Sequence, residues 1–308
     1  MSQQNAVIDQ GLAAERQTEW SQQGKMQTRA AAVWNRYKRN KFAVAGFIVF
    51  TIYILAAIFA PLFSQYDPES FDIMDADLAP SLSHPFGTDS MGADVFIRAL
   101  FGARISLSVA VIATTVTVAF GVIYGAVSGY FGRAVDMIMM RIVDALQSIP
   151  SFFLLLIIAA IMVPSMWSTI IALSTFGWLN MARIVRGEIL SLKERDYATA
   201  ALVTGEPKRA IIFYHILPNA IAPIIVIATL DIANNIIAEA TLSFLGLGIQ
   251  PPTPSWGNML SSAQELVTLT TYPWTALFPG LCIMIAVLAV NFIGDGLRDA
   301  LDPRQKNK

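Results

Sequence analysis

Long apolar runs, separated by short polar stretches, constrain the fold of this chain more than any other sequence feature. The first run, residues 43–63, is 21 residues long, and a helix of that length crosses a hydrocarbon core of about 30 Å. Of the 308 residues, 55% are apolar and only 14% are charged, a balance that soluble domains rarely have. The sequence therefore predicts an all-α integral membrane protein.

Six runs are candidate transmembrane helices. We predict them at residues 43–63, 105–127, 137–163, 168–181, 220–238 and 274–293. In the second run, Gly121 and Gly125 are four residues apart, which would let a neighbouring helix approach closely. The third run contains Arg141 and Asp144, which we expect to pair with each other along one helical face. Pro150 in the same run predicts a kink.

The charge distribution predicts which parts of the chain share a face of the membrane. With six spans, 19 of the 21 Lys and Arg residues lie on the side of the two termini, and only Arg98 and Arg104 lie on the other side. Because basic residues concentrate in cytoplasmic loops, both termini are predicted to be cytosolic. The expected order is a cytosolic tail with a basic interfacial helix (1–42), the first transmembrane helix (43–63), an extracytoplasmic acidic loop (64–104), a core of five transmembrane helices (105–295) and a cytosolic C-terminal tail (296–308).

A polar segment at residues 196–219 separates the fourth and fifth predicted spans. Asp196 is suited to cap a short helix, and Gly205 can adopt the left-handed conformation that ends one. Pro207 fits the first turn of a second short helix, and Pro218 precedes the next apolar run. The segment thus predicts two short helices with a sharp turn between them, placed on a membrane face because its polar groups would lack partners at membrane depth.

The sequence contains no enzyme signature that we can identify. The two histidines, His84 and His215, fall on opposite predicted faces, and the single cysteine, Cys282, lies in an apolar run. Neither a phosphate-binding Walker A loop nor a zinc-protease motif is present. We therefore expect no enzyme activity, no metal and no cofactor bound by this chain, and a net charge of −1 favours no nucleic-acid partner.

The fifth predicted span carries polar residues that are unusual at membrane depth. Asp231 and Glu239 are eight residues apart, and therefore lie roughly on one helical face. Together with Asn235 they could line a wet translocation path or contact a partner subunit. Alternatively, the two acids could serve a proton-coupled carrier, because intramembrane carboxylates are functional candidates.

The segment between the last two spans is rich in Gly and Pro. Gly246 and Gly248 are consistent with a gate element and equally with a tight turn. Trp256 is consistent with a contact for an external partner and equally with a packed loop anchor.

These motifs resemble the oligopeptide and dipeptide branch of ABC-importer permeases over nearly the whole chain beyond its first two dozen residues. The match rests on HPFGTDSMGADVF, GARISLSV, RIVDALQSIP, MARIVRGEILSLK, LSFLGLG and NFIGDGLRDALDP. Segment 196–219 resembles the "EAA" loop of that family, with Thr199 where the family usually has Glu. That departure leaves the helix-turn-helix shape but removes a carboxylate.

The resemblance implies a type I ABC importer permease fold with a cytosolic coupling helix in the inner membrane. It also implies a second homologous permease subunit, two ATP-binding subunits that hold ATP and Mg, an extracytoplasmic peptide-binding protein and membrane lipid as partners. The coupling residues implied by the match are Thr199, Ala200, Ala201, Gly205, Ile216, Leu217 and Pro218. The expected transport is ATP-driven peptide import by alternating access. The same machine could carry another solute, such as a nickel complex or glutathione.

Overall fold

The computed structural model describes residues 29–63 and 68–302, and this part of the chain is helical without any strand. The all-α prediction is confirmed. The helices are α1 (Arg29–Tyr37), α2 (Lys41–Phe63), α3 (Val95–Phe131), α4 (Arg133–Gln147), α5 (Ser151–Ile161), α6 (Met166–Leu192), α7 (Asp196–Val203), α8 (Lys208–Phe244), α9 (Trp256–Ser262), α10 (Leu266–Thr271) and α11 (Trp274–Leu301). The predicted loose tail at 1–24 lies outside the described residues. The C-terminal tail predicted at 296–308 begins too early, because α11 continues to Leu301, and residues 303–308 lie outside the described residues.

Helices α2, α3, α8 and α11 are each long and apolar enough to cross a membrane. The bent pair α4 and α5 would add a fifth crossing. Helix α6 is 27 residues long, but its second half carries Arg183, Arg186 and Glu188. The structure is therefore that of a multi-pass membrane protein, whereas the count of six crossings stays a prediction.

The acidic loop is shorter than predicted, because α3 begins at Val95 rather than near residue 105. Asp94 caps the helix, and its Oδ1 accepts a hydrogen bond from the Ile97 backbone N–H at 2.8 Å. The prediction of an exposed loop through residue 104 is wrong for Arg98, whose side chain is buried beside Asp89 and over the ring of Phe71. The charged side chain of Arg98 therefore belongs to a buried set of contacts and not to a solvent-exposed loop.

The kink predicted at Pro150 is a full break, since α4 ends at Gln147, α5 begins at Ser151 and the two helices meet at 79°. Pro150 is the N-cap of α5. The local pair expected between Arg141 and Asp144 is wrong: Asp144 instead accepts a hydrogen bond from Arg183 of α6 at 2.7 Å. Asp136 likewise pairs with Arg186, so two carboxylates of α4 hold two guanidinium groups of α6.

Glycines let α3 and α6 pack closely along their length. A Cβ atom at Gly121 would lie 2.7 Å from the Cβ of Met181, and one at Gly129 would lie 2.9 Å from the Cβ of Ile189. Gly125, between them, faces the backbone of Ala182. The close approach predicted from Gly121 and Gly125 is therefore found, and Gly129 extends it by one more turn.

Candidate functional site

Helix α7 begins one residue differently from the prediction. Arg195, in an extended conformation, is the N-cap, and its carbonyl accepts from the N–H groups of Ala198 and Thr199 at 3.0 Å each. Asp196, predicted to be the cap, is instead the first helical residue. Its carboxylate still lies in the first turn, where the helix dipole favours negative charge.

Gly205 ends α7 as predicted. Gly205 has a left-handed φ of +80°. Two backbone hydrogen bonds close the end of the helix. The N–H of Gly205 donates to the carbonyl of Leu202 at 3.1 Å, and the N–H of Glu206 donates to the carbonyl of Ala201 at 3.2 Å. This pair of bonds defines a Schellman motif, which satisfies carbonyls that the helix end would leave open. A Cβ at Gly205 would have no heavy atom within 4 Å, so only the backbone conformation calls for glycine here.

The second short helix predicted after Gly205 is not a separate element. Pro207 is the N-cap of a helix that runs without interruption from Lys208 to Phe244. Residues Ile211–Ile216 form a π-helical segment just before Pro218. Because proline has no N–H and its ring crowds the carbonyl four residues earlier, the preceding turn widens while the helix continues. The predicted separation of a second short helix from the fifth span is therefore wrong.

Two contacts fix the turn to the rest of the protein. The Nε2 atom of His215 lies 2.7 Å from Oε2 of Glu206, whose backbone N–H donates to Ala201 of α7. The Nζ atom of Lys208 lies over the ring of Phe131 at the end of α3, 5.6 Å from its centroid. The start of α8 is thus held to α7 and to α3 together.

Burial divides the residues predicted for coupling into two groups. Ala201 and Ile216 are buried in a core with Met181, Val185 and Ile211, and Leu217 packs against it. The exposed members are Thr199, Ala200, Gly205 and Pro218. The buried residues attach the segment to its own chain, and the exposed ones remain open for contact with another protein.

Four exposed apolar side chains that the sequence analysis did not single out lie on either side of Gly205 in the chain. Val203 is 81% exposed and Tyr214 is 79% exposed, and Leu202 and Phe213 are also exposed. The sequence signal that could have identified these residues is the presence of apolar side chains on both sides of Gly205, within an otherwise polar segment. Unpaired apolar groups of this kind on a polar segment mark interaction surfaces. We call Leu202, Val203, Phe213 and Tyr214 the coupling surface.

Within α8, the polar residues predicted for a translocation path have different surroundings. Asn235 donates from Nδ2 to Oγ1 of Thr114 on α3 at 2.9 Å. Asp231 is partly buried and makes no side-chain hydrogen bond or ion pair among the described residues. Glu239 is fully buried. The structure therefore places the two acids in different environments on one helix.

Glu239 lies among serine hydroxyls from three parts of the chain. Ser243, one turn later, donates to Oε1 at 2.8 Å. Ser106 of α3 and Ser255, the N-cap of α9, are the other serines beside the carboxyl. Oε2 is buried without a hydrogen-bond partner among the described residues, so the carboxyl lies between α3, α8 and α9 with Ser243 as its hydrogen-bond donor.

The glycine-rich turn after α8 repeats the closure seen after α7. Gly246 has a φ of +77°, and the N–H of Leu247 donates to the carbonyl of Leu242 at 2.9 Å. Gly248 is buried, and a Cβ there would lie 2.7 Å from the backbone nitrogen of Ser243. The predicted tight turn is present, and Gly248 has no room for a side chain.

The prediction of Trp256 as a contact for an external partner is wrong, because its side chain is 0% exposed. The indole N–H donates to the Ala99 carbonyl at 3.0 Å, and the ring packs edge-on against Tyr53. Trp256 is a packed anchor, the alternative that the sequence had left open. In the sequence, a large aromatic side chain in a Gly/Pro-rich loop is equally consistent with a partner contact and with a packed anchor.

Comparison with known proteins gives the family. The family described as binding-protein-dependent transport system inner membrane component matches residues 118–307. The chain belongs to this family. The N-terminal transmembrane domain of oligopeptide transport permease C matches residues 28–80, so the permease is of the oligopeptide and dipeptide type.

Individual relatives match the permease over nearly their whole length. The oligopeptide transport system permease protein OppC of Bacillus subtilis is 43% identical over 284 residues, which is 91% of this chain and 92% of the relative. The dipeptide transport system permease protein DppC of Alkalihalophilus pseudofirmus is 44% identical over 274 residues, 89% of this chain and 90% of the relative. OppC of Haemophilus influenzae is 40% identical over 288 residues, with 92% of both chains covered.

Proposed function

We propose that this permease is the membrane subunit of an ATP-driven importer that moves peptides across the cytoplasmic membrane by alternating access. The observation that carries the proposal is the coupling surface at a turn that is continuous with the 37-residue helix Lys208–Phe244. The relatives named as oligopeptide and dipeptide permeases support peptides as the cargo.

The geometry suits the transmission of a push from the cytosol. Gly205 closes its turn with two backbone hydrogen bonds, and Glu206 joins α7 through its N–H to Ala201 and α8 through its carboxylate to His215. A partner that presses on Val203 therefore moves α7 and the start of α8 together. Because α8 continues to Phe244, we propose that the motion reaches the opposite face, where Gly246 and Gly248 would act as a gate. Rigid-body motion of packed helices is a common form of such switching.

The partners follow from this role. We propose two ATP-binding subunits that hold ATP and Mg and contact the coupling surface, a second permease with which Asp231, Asn235 and Glu239 complete a translocation path, and an extracytoplasmic peptide-binding protein. The charge asymmetry of the sequence supports six crossings with both termini and the coupling surface in the cytosol. The outer segment 68–94, and not Trp256, would then face the peptide-binding protein.

The test is purification of the chain from its native membrane in mild detergent, with a photo-cross-linking residue at Val203. We expect a second permease and ATP-binding subunits to co-purify, vanadate-sensitive ATP hydrolysis, and a cross-link from position 203 to an ATP-binding subunit. The matched control is the same residue at Leu82, which is fully exposed on the other predicted face and should join no ATP-binding subunit. A solitary chain, or equal cross-links from both positions, would contradict the proposal.

A further inference from the structure

A crevice of about 400 Å³ opens where the beginning of α2 meets the end of α11. Its lining residues are Asn40, Phe42, Phe292, Asp295, Arg298 and Asp299. All of them lie where the apolar part of a membrane-spanning helix ends, so the crevice is placed at the level where hydrocarbon gives way to lipid headgroups. Its volume is within the range of small-molecule sites.

The crevice has an apolar end and a charged end. Phe42 is 69% exposed, and its ring lies 5.5 Å from that of Phe292. On α11, Asp295 and Asp299 are four residues apart on one exposed helical face, with Arg298 beside them. An amphiphile with an apolar chain and a charged head matches this division.

The walls of the crevice are held in place by contacts with α1 and α2. Asn40 accepts at Oδ1 from the N–H of Phe42 at 3.1 Å, and donates from Nδ2 to Oδ2 of Asp299 at 3.3 Å. Tyr37 is buried, and its hydroxyl donates to the Ala43 carbonyl at 3.0 Å. The charged end is thus a fixed part of the fold.

The charges favour one kind of headgroup. Two carboxylates face one guanidinium in the crevice, so a purely anionic headgroup would meet more repulsion than attraction. A primary ammonium can donate to Asp295 and Asp299 while an adjoining phosphate accepts from Arg298. Among the described residues, neither Asp295 nor Arg298 makes an ion pair or a side-chain hydrogen bond, so both are available to a ligand.

We propose that this crevice binds the headgroup of a zwitterionic phospholipid with a primary ammonium, of the ethanolamine type. The lipid lies with its head between Asp295 and Arg298 and its chains along Phe42 and Phe292. It joins α1, α2 and α11 at the membrane surface. This site is independent of the peptide-import function, because no residue of the coupling surface takes part.

The test uses the complete detergent-purified complex, stripped of lipid and then mixed with one lipid at a time. The probes are phosphatidylethanolamine, phosphatidylcholine and phosphatidylglycerol, and retained lipid is counted by native mass spectrometry. We expect phosphatidylethanolamine to be retained best, because the methylated ammonium of phosphatidylcholine cannot donate hydrogen bonds. Equal retention of phosphatidylcholine or phosphatidylglycerol would overturn the proposal, and this comparison needs no variant.

A variant locates the site. Asp295→Asn removes one charge without removing a hydrogen bond within the described chain, and should weaken phosphatidylethanolamine retention about fivefold, as expected for one partly exposed ionic contact. Glu265→Gln, at the exposed N-cap residue of α10, whose side chain makes no capping hydrogen bond, is the matched control and should leave retention unchanged. Wild-type retention by Asp295→Asn would overturn the assignment to this crevice.

Discussion

Glu206, the residue that follows Gly205, contacts His215 of α8, with Oε2 and Nε2 2.7 Å apart. The sequence had suggested that the turn would separate two short helices, but the backbone N–H of Glu206 donates to Ala201 of α7 while its carboxylate contacts His215 of α8. Their contact instead makes the turn a closed unit, since the Schellman hydrogen bonds fix its backbone and this pair fixes its side chains. Force applied to α7 therefore passes to α8.

The Gly205 turn gives the first prediction, for which Gly205→Val and Gly205→Asn form a matched pair. Neither side chain meets a neighbour, because the space beside Gly205 is open. Valine is strained by about 1–2 kcal/mol at a left-handed φ, whereas asparagine tolerates it. We expect Gly205→Val to lower peptide uptake per ATP hydrolysed and Gly205→Asn to resemble the wild type, both measured in proteoliposomes. Equal uptake per ATP by the two variants would show that the left-handed turn is not needed.

Glu239 gives a prediction about stability. Glu239→Gln keeps the size of the side chain and a carbonyl acceptor for Ser243, whereas Glu239→Ala leaves buried hydroxyls facing a cavity. We expect Glu239→Ala to destabilise the permease by about 2–4 kcal/mol and Glu239→Gln by much less. The difference in stability is measured by thermal unfolding in detergent, with size-exclusion chromatography used to monitor the folded fraction. If Glu239→Ala melts at the wild-type temperature, the carboxyl does not join α3, α8 and α9.

The α3–α6 contact predicts opposite effects at two helical glycines. Gly125→Ala places a methyl group against Ala182 and Val185, whereas a Cβ at Gly187 meets nothing within 4 Å. We expect Gly125→Ala to lower the melting temperature, and Gly187→Ala to raise stability by about 0.5–1 kcal/mol because alanine favours the helix. A stabilising Gly125→Ala would contradict the close packing.

Asp77 predicts a pH dependence in the outer segment. Partial burial and the nearby Asp89 raise the pKa of Asp77 above its usual value. A raised folded-state pKa means that ionisation of Asp77 opposes folding above that pKa, and that this cost disappears as pH falls below the unfolded value of about 3.9. Asparagine also suits the φ of +58° at this position. Asp77→Asn should therefore stabilise the protein at pH 7 and have less effect near pH 4, measured by thermal unfolding at both values. If the difference in stability between Asp77→Asn and the wild type is the same at both pH values, ionisation of Asp77 is not its cause.

Features set by a local rule were predictable from the sequence. The long apolar runs indicated a helical membrane protein, Gly205 indicated the end of α7, and Pro150 indicated a break. Gly121 and Gly125 indicated a close helix contact. Each depends on backbone chemistry that acts within a few residues.

Features set by long-range partners were not predictable. Arg98 looks like a loop charge in sequence, but it is buried beside Asp89, and Asp144 selects Arg183 over the nearer Arg141 because α6 packs against α4. The sequence predicted a short helix before Pro218 and a separate span after it, but a π-helical segment lets one helix continue through both. The burial of Trp256 depends on α3 and on Tyr53 of α2, which sequence spacing alone does not bring together.

The most direct test of the proposed function is peptide uptake by the purified complex in proteoliposomes, with the peptide-binding protein and a labelled peptide on its side of the membrane and ATP with Mg on the side of the coupling surface. We predict uptake that requires ATP and persists when a proton ionophore abolishes any pH gradient. Uptake without ATP that the ionophore abolishes would contradict the account and would make Asp231 and Glu239 candidates for proton coupling.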